Sequence, residues 1–547
     1  MLITMRKVLL PVFALGLLPS IVLCQQPPPD LVVFNGKIFT SKSSQPYVEA
    51  LAVRGERIAL VGTSREVLAL VGKNTKRIDL AGHTVVPGFN DAHNHLSVAP
   101  VAEWLIIKSE DPQWKEVKDA LAVACDQAPK GKWIEGTFGD TILADPLPTR
   151  RELDVLCPDR PVALVDWTGH ASILNSLALT KLAVREDEPN PEGGTFVRGS
   201  DGKLTGRIFE YAQFQMDRRL SELVSDEEAV RQLNDFFVHS ARTGITTIQN
   251  MSNPIRDDRA AALLAKSPPP IRIRLIWFGL TDQHGRVLND RRDLPLHPAP
   301  LVTVSGTKWI IDGTPIEHSA AMRKPYADHP DTSGELNFSE KEIEDILRES
   351  LQRNDQLMVH VVGDRTVETF LNAMDATGGE RVWAQRRLRF EHGDGIMPDL
   401  IPAVKRLGVV EVQNPTHLSL DVPRWGPGRA EHDQPMRSLL EAGIPIAIGS
   451  DGPDNPFLNI MLATTYEGKP NEALTREQAV IAYTLTSAYA EFTEKDKGSL
   501  ESGKLADLAV LSQDIFKVRA EDLPKTESVL TIVGGKIVYD AKVVKLQ

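Results

Sequence analysis

The chain has 547 residues, of which 42% are hydrophobic and 25% charged, and a formal net charge of −12 at pH 7. That length exceeds one typical core and predicts a large catalytic unit with an accessory domain, while the ordinary composition, without low-complexity tracts or short repeats, excludes a fibrous or largely disordered protein. The acidic balance and the lack of a long Lys/Arg run argue against nonspecific binding to nucleic acid or anionic membrane and say little about a small-molecule substrate.

Arg6 and Lys7 precede an apolar run, Val8 to Leu18, that is too short to cross a bilayer. This predicts a signal peptide over residues 1–24 and an exported protein, periplasmic or secreted, with no transmembrane span. Cleavage after Cys24 places Val22 and Cys24 at the small-residue positions. The alternative is a lipid anchor on Cys24, against which Leu23 stands where a small residue is expected. Beyond the Pro-rich linker Gln25 to Pro29, the cysteines are Cys125 and Cys157. One disulfide is open to them in an oxidising compartment, but two cysteines make neither a framework nor a zinc cluster.

From Leu31 the chain reads as short strands. Leu31 to Phe34, Asn35-Gly36 and Lys37 to Thr40 read as a hairpin. Ala50 to Val53, Ile58 to Val61 and Arg77 to Leu80 continue the pattern. Near the other end, Leu508 to Leu511, Ser528 to Val533 and Lys536 to Tyr539 repeat it, with Gly534-Gly535 as a tight turn. Residues 30–83 and 500–547 are therefore expected to form one small composite β-sandwich domain from both ends of the mature chain. Residues 84–499 alternate strands with helical stretches. Eight strands are expected, over residues 84–89, 244–248, 272–278, 308–311, 357–361, 387–390, 409–412 and 445–448. The fold class is then α/β, a (β/α)₈ TIM barrel with a large insertion at about 100–240.

The chemistry gathers at strand ends. Asp91-Ala92-His93-Asn94-His95 follows the first apolar strand, and residues two apart on a strand share a face, so two imidazoles aim at one point. Lys308 opens Lys-Trp-Ile-Ile-Asp-Gly, His360 lies in Val-His-Val-Val-Gly-Asp, His392 ends Arg-Phe-Glu-His-Gly and Asp451 ends Gly-Ser-Asp-Gly. In a barrel these ends converge on the face that carries active sites. For Lys308 the residues alone leave open a plain ion pair with nearby Asp312.

These motifs resemble those of the amidohydrolase superfamily, in particular its amidohydrolase-3 branch of N-substituted formamide deformylase-like proteins. The likeness runs through Asn35 to Thr40, Val86 to His95, Gly169-His170 with Asn175 to Leu179, and Gly503 to Leu511. Asn90 departs from the aliphatic residue common at its position, and neither it nor Asn94 is a required ligand. The resemblance implies that His93 and His95 bind the more buried of two divalent metals, that Lys308 is carboxylated and bridges them, and that His360 and His392 bind the second. Zinc is the default, with iron, manganese and nickel open. It further implies that Asp451 contacts a metal and serves as general base in hydrolysing an amide-like C–N bond, N-acyl or N-formyl. His170, Trp167 and His417 are candidates for substrate contact, with Glu317 and Arg323 ranked lower. The competing readings are a deaminase or a lactone or ester hydrolase on the same scaffold, and a non-catalytic exported binding protein. A homo-oligomer is compatible with each.

Overall fold

The computed structural model describes residues 27–109, 111–144, 146–288, 294–418 and 422–547; the expected signal peptide and Cys24 lie outside the described residues. Eight parallel strands form one sheet in chain order: β1 (Phe89–Asn94), β2 (Ile245–Met251), β3 (Arg272–Phe278), β4 (Val302–Ile310), β5 (Leu357–Val361), β6 (Arg389–His392), β7 (Val410–Gln413) and β8 (Ile446–Ile448). The last strand returns to the first, where Asp451 N–H donates to the His93 carbonyl at 3.0 Å. Helices such as Asp226–Arg242, Glu340–Arg353 and Asp364–Ala376 bury apolar stripes (Leu233 and Phe237; Ile343, Ile346 and Leu347; Val367, Phe370 and Leu371) in the same core as the strands. No helix among the described residues is long and apolar enough to cross a membrane.

The first strand differs from its expected span. Thr84–Pro87 belongs to the small domain, pairing with Lys37–Phe39 and with Leu508–Leu511. Pro87 and Gly88 break the run: Gly88 N–H donates to the Asp507 carbonyl, and Phe89 N–H to that of Gly244. A Cβ on Gly88 would lie 2.2 Å from Thr246, so only glycine allows the chain to change sheets here. His93 consequently lies inside β1 rather than beyond its end.

The Asn35-Gly36 hairpin is also corrected. Leu31–Phe34 pairs with Ala50–Arg54 and Lys76–Asp79, whereas Lys37–Phe39 pairs with Tyr47–Val48 and Thr84–Pro87. The turn carries the chain between the two sheets of the sandwich, with Asn35 at φ 59° and its amide donating to Asp79. Gly534-Gly535, both at positive φ, does close an antiparallel hairpin. The two sheets enclose Val33, Ile38, Leu51, Leu508 and Ile532, residues drawn from both ends of the chain.

Between β1 and β2 a six-stranded sheet is inserted, in the order Gly194–Arg198, Leu204–Glu210, Ala171–Leu174, Val162–Asp166, Trp133–Phe138, Ala102–Trp104. Cys125 and Cys157 form a disulfide on one side of it. Gln213, Phe214 and Arg218 of helix Tyr211–Glu222 are buried, and Tyr211 at its start both donates to and accepts from the Ile310 backbone, tying the insertion to β4.

At the closure, a Cβ on Gly449 would come within 2.4 Å of the His93 Cβ. Gly449→Ala is therefore expected to push β8 away from His93. A shortened half-life at elevated temperature together with weakened metal retention, measured on the purified variant, is the expected outcome.

Candidate active site

Five of the residues singled out by sequence meet at the β1/β8 seam. His93 is 1% exposed. Its Nδ1–H donates to Glu391 Oε2 at 2.7 Å, which turns Nε2 into the cavity. His95 Nδ1 faces two acceptors, the Met251 carbonyl at 2.9 Å and Asn253 Oδ1 at 2.5 Å, so it carries the proton and Nε2 carries the lone pair. The two Nε2 atoms stand 3.2 Å apart, and Asp451 Oδ1 is 3.2 Å from that of His95 and 3.8 Å from that of His93. Asp451 Oδ2 faces the other way, 3.9 Å from Nε2 of both His392 and His417.

Three acceptors aimed at one point without a proton among them call for a cation. The groups His93, His95, Asp451 and His392, His417, Asp451 each keep their donor atoms within 4.8 Å of one another. Two buried atoms add to the case: Lys308 Nζ and His392 Nδ1 have no hydrogen-bond partner among the described residues. The donor set, imidazole nitrogens with a carboxylate, suits zinc and its neighbours.

The electrostatics follow from burial. Burial draws His93 down to about 4, outweighing the pull of Asp451 and Glu391, so the ring is neutral at pH 7. Burial also holds His360, His392 and His417 below the ordinary imidazole value. The Lys308 side chain is fully buried, and burial lowers its ammonium to about 8. For Asp451 burial pushes upward, but the surrounding imidazoles, His93 foremost, hold the carboxyl well below its usual range. His392 and Asp451 both adopt positive φ, 73° and 46°, a conformation uncommon outside glycine that turns the side chains as the strands end.

The remaining candidates take several places. His360 meets His392 edge-on (ring centroids 4.6 Å) and its Nε2 is 3.2 Å from the Gly313 carbonyl, outside both ligand clusters. His417 stacks on His392 at 5.4 Å, among the potential ligands. His170 sits 4.9 Å from the His360 ring and pairs through Nδ1 with Glu210 at 3.0 Å. Burial disfavours its charge, but Glu210 raises it to about 8. Trp167 and Thr168 line the cavity, and Thr168 donates to Glu317 and to Asp166. Arg323 instead pairs with Glu368 and Asp399. Asp312 is not the partner of Lys308: it accepts from the Ala321, Val362 and Gly363 N–H groups and from Thr366.

Sequence reasoning missed Glu391 and Arg389. Arg389 donates to both Glu391 oxygens (2.8 and 3.0 Å), to Gln249 and to the Ala92 carbonyl. Both side chains are fully buried. Burial alone would raise the Glu391 carboxyl, but Arg389, and then His93, hold it at about 2. The signal was present: in Arg-Phe-Glu-His the charges alternate with an apolar residue, which puts Arg389 and Glu391 on the same, interior face.

The site opens into a cavity of about 430 Å³ lined by His93, His95, Lys308, His170 and Asp451, with a smaller lobe of about 60 Å³ against Pro315, Ile316 and His417.

Barrel and constellation together are those of metal-dependent hydrolases. The sequence profile described as the Amidohydrolase family, of the amidohydrolase-3 type, matches residues 76–539. The chain belongs to this amidohydrolase family. It is 29% identical over 546 residues to Protein LONG AFTER FAR-RED 3 of Arabidopsis thaliana, covering 93% of this chain and 91% of that one. It is 28% identical over 548 residues to N-substituted formamide deformylase of Arthrobacter pascens, covering 93% and 98%. An uncharacterized metal-dependent hydrolase from Pyrococcus horikoshii shares the fold, with a TM-score of 0.70 at 22% identity over 90% of this chain and 99% of its own.

Proposed function

We propose that this chain hydrolyses an amide-like C–N bond, N-acyl or N-formyl, in a small molecule, with Asp451 as general base. The observation that carries this reading is the position of Asp451, whose two oxygens face two separate imidazole groups across the cavity floor. His93, His95 and Asp451 would hold one divalent ion, and His392, with His360 or His417, a second, zinc by default. When bound, such ions supply an acidified water and a Lewis acid for the substrate carbonyl. Asp451, held ionised, accepts the water's proton as the C–O bond forms and returns it to the nitrogen as the C–N bond breaks; a carboxylic acid and an amine leave. Lys308, buried and with its ammonium lowered, would take up CO₂ on its neutral amine with loss of a proton, and the carboxylate so formed would serve as a further ligand for such ions.

The likeness over full length to a formamide deformylase supports this bond class. Export is part of the proposal: the basic-then-apolar segment over residues 1–24 and the disulfide Cys125–Cys157 both suit an oxidising compartment. The test is a panel of N-formyl and N-acyl amines, lactones and cyclic amidines offered to metal-loaded protein. Release of acid and amine from the amides, lost on chelation and restored by zinc, is expected. Turnover confined to lactones or amidines would overturn the amide assignment.

A further inference from the structure

Glu135 lies in strand Trp133–Phe138 of the inserted sheet, in register with Trp104 on one neighbouring strand and Ala163 on the other. Alternation along the strand puts Ile134 and Phe138 against the helices Trp114–Gln127 and Arg150–Leu156, and Glu135 on the opposite face. That face roofs the active-site cavity: Glu135, Trp104 and Trp167 line the same space as His95, Lys308 and Asp451. Glu135 is only 9% exposed, yet its Oε1 has no hydrogen-bond partner among the described residues.

The other carboxylates on these walls are already satisfied. Asp166 accepts from Thr168 and from the Ala171 N–H, and Asp217 accepts from Gln213. His170, which also faces the cavity, is paired with Glu210. Among the described residues no positive group offsets the burial of Glu135, which pushes its carboxyl up to about 7. A buried acceptor without a donor is unfavourable in the free protein and is relieved by a ligand that brings one. Trp104, the register partner of Glu135 on the adjacent strand and 58% exposed, lines the same cavity and supplies an aromatic ring, the second half of a cation site.

We propose that Glu135 and Trp104 form a cation subsite, so that the preferred substrates are amides bearing a second, protonated nitrogen, an ammonium or guanidinium, at the end remote from the scissile bond. The ammonium N–H donates to Glu135 while the flank of the cation rests on the indole. The inference rests on the proposed reaction only for where the amide lies; the cation site itself is testable without turnover.

The test uses two non-hydrolysable probes of matched length, N-(5-aminopentyl)methanesulfonamide and N-hexylmethanesulfonamide, titrated calorimetrically into the metal-loaded protein at about pH 8, where Glu135 is ionised. The cationic probe is expected to bind about tenfold tighter than the neutral one. That preference is expected to vanish in E135Q and to shrink in W104A, a change at an exposed ring that leaves the core untouched. Equal affinities in the unaltered protein, no saturable binding of the cationic probe, or a preference that survives both substitutions would overturn the proposal. Formate release from the corresponding formamides is followed separately. A protein that prefers the cationic sulfonamide but releases no formate would refute the reaction and leave the subsite standing.

Discussion

Asp451→Asn is expected to lower turnover by roughly 10²–10⁴-fold, the usual worth of a positioned general base. Asparagine fills the same volume and can still present an oxygen toward His95, so fold and metal content are expected to persist. What is lost is an oxygen able to accept the water's proton and pass it on. Metal analysis, circular dichroism and steady-state kinetics on the same preparation separate these effects. Near-normal turnover in the variant would sink the role given to Asp451, and loss of metal in parallel with activity would make it a ligand only.

The second large effect is expected at Glu391. This carboxylate accepts a hydrogen bond from His93 Nδ1–H on one oxygen and accepts from Arg389 on both, all three side chains being buried. Glu391→Gln leaves the Arg389 charge in the barrel interior without its counter-ion, and breaking a buried pair in this way costs about 3–5 kcal/mol. Glutamine also leaves a single acceptor oxygen for which His93 Nδ1–H and Arg389 compete, so the His93 tautomer is less firmly held and a loss of up to about 10–100-fold in metal affinity is expected. Denaturant unfolding and metal competition read the two separately. The pH dependence has a definite sign. His93 is depressed from 6.5 to about 4 and Glu391 from 4.5 to about 2, so in both cases the unfolded chain binds protons more readily. Stability is therefore expected to fall as the pH drops, first between 6.5 and 4 through His93 and then between 4.5 and 2 through Glu391. Stability that stays flat from pH 7 to 3 would contradict this account.

The barrel and the gathering of histidines and Asp451 at strand ends were legible because their signals are periodic and local. Apolar runs mark strands, and His-x-His within such a run places two imidazoles on one face. Two local readings failed for a shared reason. Asn35-Gly36 and Pro87-Gly88 are chain reversals or breaks, and a break does not say which sheet the next strand joins; pairing partners distant in sequence decide that. The placement of His417 over His392, and of His360 against the Gly313 carbonyl, was equally hidden, because it depends on how the loops after β7 and β4 fold. Glu135 had no signature at all. An acidic residue in Trp-Ile-Glu-Gly-Thr-Phe reads as an ordinary exposed position until the inserted sheet is laid over the barrel mouth.

The meeting of β1 and β8 has a thermodynamic consequence. The hydrogen bond that brings the last strand to the first joins the backbone of Asp451 to that of His93, the same two residues whose side chains face the would-be ion. An ion held there acts as a clasp on the seam of the barrel. By mass action, saturation at a hundred times the dissociation constant adds about 2.7 kcal/mol to the folded state. A melting curve recorded against metal concentration is then a titration of the site, readable before any substrate is known, and chelation is expected to free the first and last strands for hydrogen exchange ahead of the other six.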